Sequence, residues 1–130
     1  MWKVLVAEDD AENRAILSDG LKNLAQCSSA KTGREALDLH QKAIQTKTPF
    51  DFVLLDVTMP ELDGFQVLKA IRSYEEKAKD LKQDSLVIMI TAYRDSLMEK
   101  YNMGWDDFIT KPVDPKMLVN HMKDLLLARI

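Results

Sequence analysis

Three acids, a hydroxyl and an amine stand at the ends of short apolar runs: Glu8 and Asp9 after VLVA, Asp56 after VLL, Thr91 after VIMI and Lys111 after DFIT. Asp56 sits in the stretch VLLDVTMPELDG, and a carboxylate in such a run is costly to bury unless something compensates it. Gathered in a partly desolvated pocket, the three acids repel one another, since two unit charges about 4 Å apart cost several kcal/mol at a protein's effective dielectric. A divalent cation removes that repulsion. An all-oxygen donor set with no cysteine or histidine beside it selects Mg²⁺, with Mn²⁺ as the alternative, over zinc. Mg²⁺ held by a couple of carboxylates keeps positions open for water and phosphate oxygens, and a lysine and a hydroxyl would take the remaining oxygens. The set suits phosphoryl transfer.

These residues lie far apart in the chain, so the fold must bring them together. Short runs rich in branched residues alternate with segments of helical period, which marks a parallel sheet covered on both faces. Strands are expected over residues 3–7, 26–30, 51–55, 86–90 and 107–110. Ile16, Leu17, Leu21 and Leu24 stripe a first helix. Ala36, Leu37, Leu39, Ala43 and Ile44 stripe a second that opens with a capping box, Thr32 with Glu35. A third helix carries Phe65, Leu68 and Ile71, and a shorter fourth starts near Asp95. The fifth has Asp114 as N-cap, Pro115 at its first position and Leu118, Met122 and Leu125 inward. Asp10 reads as the N-cap of the first helix, and the polar stretch 73–85 as solvated surface. Open α/β sheets bind ligands outside the carboxyl ends of their strands, where Glu8, Asp9, Asp56, Thr91 and Lys111 all fall. The second strand contributes nothing, as an edge strand would.

The 130 residues fit one domain, 1–130, and no output module is visible. With 46% hydrophobic and 30% charged residues the chain is globular, and a net charge of -3 advertises no nucleic-acid face. Cys27 has no partner for a disulfide, which fits a reducing compartment and a small core residue. No apolar run approaches the ~20 residues of a membrane span, and the start leaves no room for a signal peptide. A soluble, cytoplasmic protein without membrane contact is expected. His40 and His121 flank apolar stripes in separate helices and read as structural.

Four motifs together, LVAEDD, LLDVTMPELDG, ITA and DDFITKP, resemble the response-regulator receiver domain of two-component phosphorelay systems over essentially the full length. The resemblance implies a flavodoxin-like (βα)5 fold, a five-stranded parallel sheet in the order 2-1-3-4-5 with helices on both faces. It implies that Asp56 is the phosphoacceptor, Asp9 a direct Mg²⁺ ligand, Glu8 a ligand through water and the Thr58 carbonyl a backbone ligand. Thr91 and Lys111 would hold the phosphoryl oxygens, and Thr91 with Phe108 would form the switch. The peptide before Pro112 could be cis and aim the Lys111 amine into the pocket. The donor would be a sensor histidine kinase or a histidine-containing phosphotransfer domain, and the reader an effector protein or a fused output domain. The surface of helix 4, strand 5 and helix 5 would change, with contributions from Met98, Tyr101, Met103 and Met117, and pairing with a second copy is left open. Such a domain is no enzyme beyond its own phosphorylation and dephosphorylation. Phe108 stands where the family often has tyrosine, Trp105 where it often has a smaller residue, and Thr58 and Tyr93 where it tunes hydrolysis of the aspartyl phosphate.

Three rivals are weighed. A phosphatase of the haloacid-dehalogenase type needs a second acid two residues after its nucleophile, where this chain has Thr58. A flavin-binding domain needs a phosphate loop after the first strand, where AEDDAENR would repel phosphate. A degenerate receiver, binding partners without phosphorylation, would not need the full set of residues found here.

Overall fold

Strand side chains alternate between the two faces of a sheet, so a strand buried on both sides feeds two separate cores. The computed structural model describes residues 1–92 and 104–129. Its elements run β1 (Trp2–Ala7), α1 (Ala11–Leu21), β2 (Ala25–Ala30), α2 (Gly33–Gln45), β3 (Phe52–Asp56), α3 (Gly64–Lys77), β4 (Leu86–Thr91), β5 (Asp107–Thr110) and α4 (Pro115–Ala128). The helix expected from near Asp95 falls on residues 93–103, outside those described, as do Tyr93, Met98, Tyr101 and Met103. Hence α4 is the fifth helix of the sequence pattern.

All strand pairs are parallel, in the order β2-β1-β3-β4-β5, with β2 at one edge as expected. The chain leaves β1 for β2 on one side and returns to β3 on the other. The order therefore reverses at β1 and β3, where the C-terminal ends leave a crevice. Leu5 and Ala7 of β1, with Val53 and Leu55 of β3, join Ala36, Leu37, Val67, Leu68 and Ile71 under α2 and α3. The alternate residues Val4, Val6, Phe52 and Leu54 join Leu17, Leu21, Leu118 and Met122 under α1 and α4. Apart from Ala7 and Ala36, each such side chain contributes on the order of 1.5–3 kcal/mol when removed from water. Among the described residues no helix is long and apolar enough to cross a membrane.

Helix starts follow their caps. The Asp10 side chain accepts from the N–H groups of Glu12 and Asn13, and Asp114 caps α4 ahead of Pro115. Asp63 and Gln66 form a complete capping box at α3. At α2 the box is only half made: Thr32 Oγ1 accepts from the Glu35 N–H, but the Glu35 carboxylate reaches past Thr32 to the Lys31 N–H at 2.8 Å.

Three further expectations need correction. Ile16 is 44% exposed, because α1 buries only the Leu17 and Leu21 side of its stripe. Leu24 lies beyond the end of α1 in the turn to β2, where its N–H bonds the Leu21 carbonyl. The stretch 73–85 is not all solvated surface, since Glu75 and Ser85 are buried. Glu75 accepts from Arg72 Nη1 at 2.7 Å and the Ser85 N–H at 2.8 Å, and lies 3.2 Å from His40 Nε2. Arg72 also donates to the carbonyls of Gly104 and Ser85 and to Asp106. These bonds tie α2, α3 and the starts of β4 and β5 together. His40 is thereby structural, although its other ring nitrogen is buried without a hydrogen-bond partner. His121 sits 2.6 Å from Asp107 of β5.

Candidate functional site

The C-terminal ends of β1, β3 and β5 converge at the crevice. One oxygen from each of Glu8, Asp9 and Asp56 lies within 4.8 Å of the others, as their shared strand-end position predicts. Lys111 reaches in from the end of β5, with Nζ 3.0 Å from Glu8 Oε1 and 3.3 Å from Asp56 Oδ2. The peptide between Lys111 and Pro112 is cis. Glu8 and Asp56 are 2% and 3% exposed, so both charges sit largely out of water, while Asp9 is exposed.

Local sequence explains the approach. Gly64, at the start of α3, donates its N–H to the Val57 carbonyl at 2.8 Å. A Cβ there would lie 2.5 Å from the Asp56 carbonyl oxygen and 2.8 Å from Val57 Cα. Only glycine lets the helix abut the strand end that carries Asp56. Pro60 and Glu61 turn the chain between them, with Glu61 at φ 69°. Thr58 is exposed, and its N–H donates to Asp56 Oδ1 at 3.2 Å.

The electrostatics are unbalanced. Burial, then hydrogen bonding and repulsion from Glu8, push the Asp56 carboxyl up to about 7, outweighing the Thr58 N–H and Lys111. For Glu8, burial opposes the charge, but hydrogen bonding from Asp56 and the closer Lys111 ammonium holds its carboxyl below the usual range. Burial also works against the Lys111 ammonium, yet Glu8 and Asp56 more than offset it and raise the amine above its ordinary value. One lysine thus serves two carboxylates. Glu8 Oε2 is buried with no hydrogen-bond partner. An orphaned carboxylate oxygen beside two further acids fits a hard divalent cation, because oxygen ligands and excess negative charge are what such an ion takes.

Thr91 is buried at the end of β4, in register with Thr110, and its carbonyl accepts from the Lys111 N–H at 2.7 Å. Phe108, half-buried on β5, pairs in register with Met89 and meets Trp105 edge to face at 5.4 Å. Trp105 lies against the α2–α3 core with its Nε1 buried. Met117 is 54% exposed on α4. Nothing in the sequence marks Arg14. Its Nη1 donates to the carbonyls of Glu8 and Asp9 at 2.8 and 3.0 Å, and no residue pattern announces a side chain that bonds backbone.

The chain is similar to known proteins along nearly its whole length. The family described as response regulator receiver domain matches residues 4–123. Response regulator MprA of Mycolicibacterium vanbaalenii is 37% identical over 128 residues, 95% of this chain and 50% of that protein. Hybrid signal transduction histidine kinase I of Dictyostelium discoideum is 33% identical over 122 residues, 89% of this chain but 7% of that protein. The chain thus spans half or less of these two relatives. Among solved structures, chemotaxis protein CheY4 of Vibrio cholerae superposes with a TM-score of 0.80 at 28% identity, covering 96% of this chain and 98% of that one. The receiver domain of Saccharomyces cerevisiae response regulator Ssk1, solved with the histidine phosphotransfer signaling protein Ypd1, gives 0.81 at 25% identity over 95% of this chain and 88% of that one. Four motifs, one strand order and a match along nearly the whole length agree, and the chain belongs to the response regulator receiver domain family of two-component signalling.

Proposed function

We propose that this receiver is a phosphorylation switch in which Asp56 accepts a phosphoryl group from the phosphohistidine of a sensor histidine kinase or a histidine phosphotransfer protein. The observation that carries this reading is Lys111 Nζ bonded to both Glu8 and Asp56 in a pocket where three acids gather. An Asp56 carboxylate oxygen forms the new O–P bond as the donor's P–N bond breaks, and the electron pair left on the imidazole nitrogen takes up a proton. Lys111 meets one phosphoryl oxygen and the Thr91 hydroxyl another, so charge on the transferring group finds donors held by β4 and β5.

Asp9, Asp56 and the Thr58 carbonyl would hold Mg²⁺ directly, and Glu8 through water. Bound there, the ion neutralises phosphoryl oxygens and favours the ionised form of Asp56. The phosphorylated Asp56 side chain then carries about 1.5 to 2 negative charges in place of one, now on phosphoryl oxygens, drawing Thr91 and Lys111 inward with Phe108 and changing the surface of β5 and α4. An effector protein or fused output domain reads that surface, and hydrolysis of the aspartyl phosphate resets it.

Intact mass after incubation with acetyl phosphate and Mg²⁺ tests the reading. The wild type should gain one phosphoryl group and Asp56→Asn none. No gain in the wild type, from acetyl phosphate or from a phosphorylated histidine phosphotransfer protein, overturns it in favour of a module that binds unphosphorylated.

A further inference from the structure

Arg14 and Asp9 carry an inference that rests on the metal site proposed above and deepens it. Glu8 is oriented by Lys111, and Asp56 by Lys111 and the Thr58 N–H. Asp9 differs: among the described residues no hydrogen bond or ion pair holds its exposed carboxylate, so only its backbone directs it toward the other two acids. That backbone is braced. Arg14 Nη1 donates to Glu8 O at 2.8 Å and to Asp9 O at 3.0 Å, which fixes two successive carbonyls on one nitrogen. Arg14 is itself anchored, because its N–H bonds the Asp10 carbonyl in the first turn of α1, and the Asp10 side chain caps that turn. Among the described residues its guanidinium makes no ion pair with the acids so close by, and it is spent on the chain that carries them.

We infer that Arg14 is a positioning residue for the divalent cation: its guanidinium locks the turn at residues 8 and 9 so that the Asp9 carboxylate is presented to the site against repulsion from Glu8 and Asp56. Two effects of opposite sign separate this from bulk charge. Loss of a cation beside an acidic cluster strengthens Mg²⁺ binding through simple electrostatics, whereas loss of a brace weakens it.

The test is Mg²⁺ titration by calorimetry, with no phosphodonor, on the wild type, Arg14→Ala and Arg14→Lys, alongside their thermal midpoints without metal. Partners that orient a metal ligand are worth at least about tenfold in metal affinity, and Arg14→Ala should lose about that much. Arg14→Lys keeps the charge on a shorter stem with a single nitrogen and should still be weaker than wild type by about threefold or more. It also carries the test alone if the alanine variant does not fold. An Arg14→Ala protein that binds Mg²⁺ as well as or better than wild type overturns the inference, as does full affinity in Arg14→Lys. A wild type that takes up no Mg²⁺ overturns the proposed metal site and this inference together, whereas binding that is indifferent to Arg14 overturns the inference alone.

Discussion

Glu75 and Asp56 are both buried carboxylates, 4% and 3% exposed, one beside the N-terminal ends of β4 and β5 and the other at the C-terminal end of β3. Glu75 is met by His40, the Ser85 N–H and Arg72. Burial opposes its charge, yet these three hold its carboxyl below the usual range. Asp56 has one N–H and half a lysine, and its carboxyl is pushed up to about 7. Burial alone therefore says little about what a carboxylate is for. Glu75 has what it needs within the fold and holds three elements together, whereas the Asp56 pocket is short of positive charge and stands to gain from an ion or group brought from outside.

Removing Glu75 should have the largest effect, because it strands His40, Arg72 and the Ser85 N–H. Loss of one partner from a buried ionic set costs about 3–5 kcal/mol, and Glu75→Ala should lose about that in urea unfolding at pH 7. A loss below about 1 kcal/mol would break the contrast, since Glu75 would then not be what holds these elements together. Gly64→Ala comes next. Its new methyl would sit 2.5 Å from the Asp56 carbonyl oxygen, where backbone rather than a flexible side chain must yield. A cost of about 2–3 kcal/mol is expected, with slower phosphorylation as the strand end shifts. Unchanged stability and rate would mean that α3 does not need its close seat on β3.

How far the sequence reveals the two carboxylates follows from where their partners come from. Asp56 announces itself because its partners are also polar residues at strand ends, and strand ends are visible as breaks in apolar runs. The expected strands accordingly match the observed ones to within a residue at each end. Glu75 was hidden in a polar stretch, since its partners come from α2, α3 and the residue before β4. A signal was present nonetheless: Glu75 follows Leu68 and Ile71 at helical spacing and continues their buried stripe. Ile16 shows the reverse error, an apolar residue assigned inward although only Leu17 and Leu21 face the sheet. The brace from Arg14 was not legible, because a side chain that bonds carbonyls needs no complementary residue type.

The two acids should also respond oppositely to pH. Glu75 has a lowered folded-state pKa, so its stabilisation is present above its unfolded value near 4.5 and is lost as pH falls through the folded value. The gap between wild type and Glu75→Gln should close in acid. Asp56 has a raised one, from 3.8 to about 7, so its protonated form is favoured by folding and stability is lost as pH rises through 7. With chelator present, Asp56→Asn should be more stable than wild type at pH 8, and the difference should shrink as pH falls through 7 toward 4. A difference that does not change with pH would mean that Asp56 is not held short of charge.

The smallest effect sharpens the contrast most, because it acts on one carboxylate and not the other. An ion that binds only the folded state stabilises by about 1.4 kcal/mol at ten times its dissociation constant. Mg²⁺ should raise the stability of wild type and Glu75→Gln by this same amount, since the Glu75 network at the far end of the sheet offers it no open oxygen. Asp9→Asn and Asp56→Asn should gain less at the same concentration, each having lost one of the three acids that gather at the crevice. Equal gains in all four proteins would show Mg²⁺ acting on surface charge at large, and the deficit at Asp56 would then have no ligand to answer it.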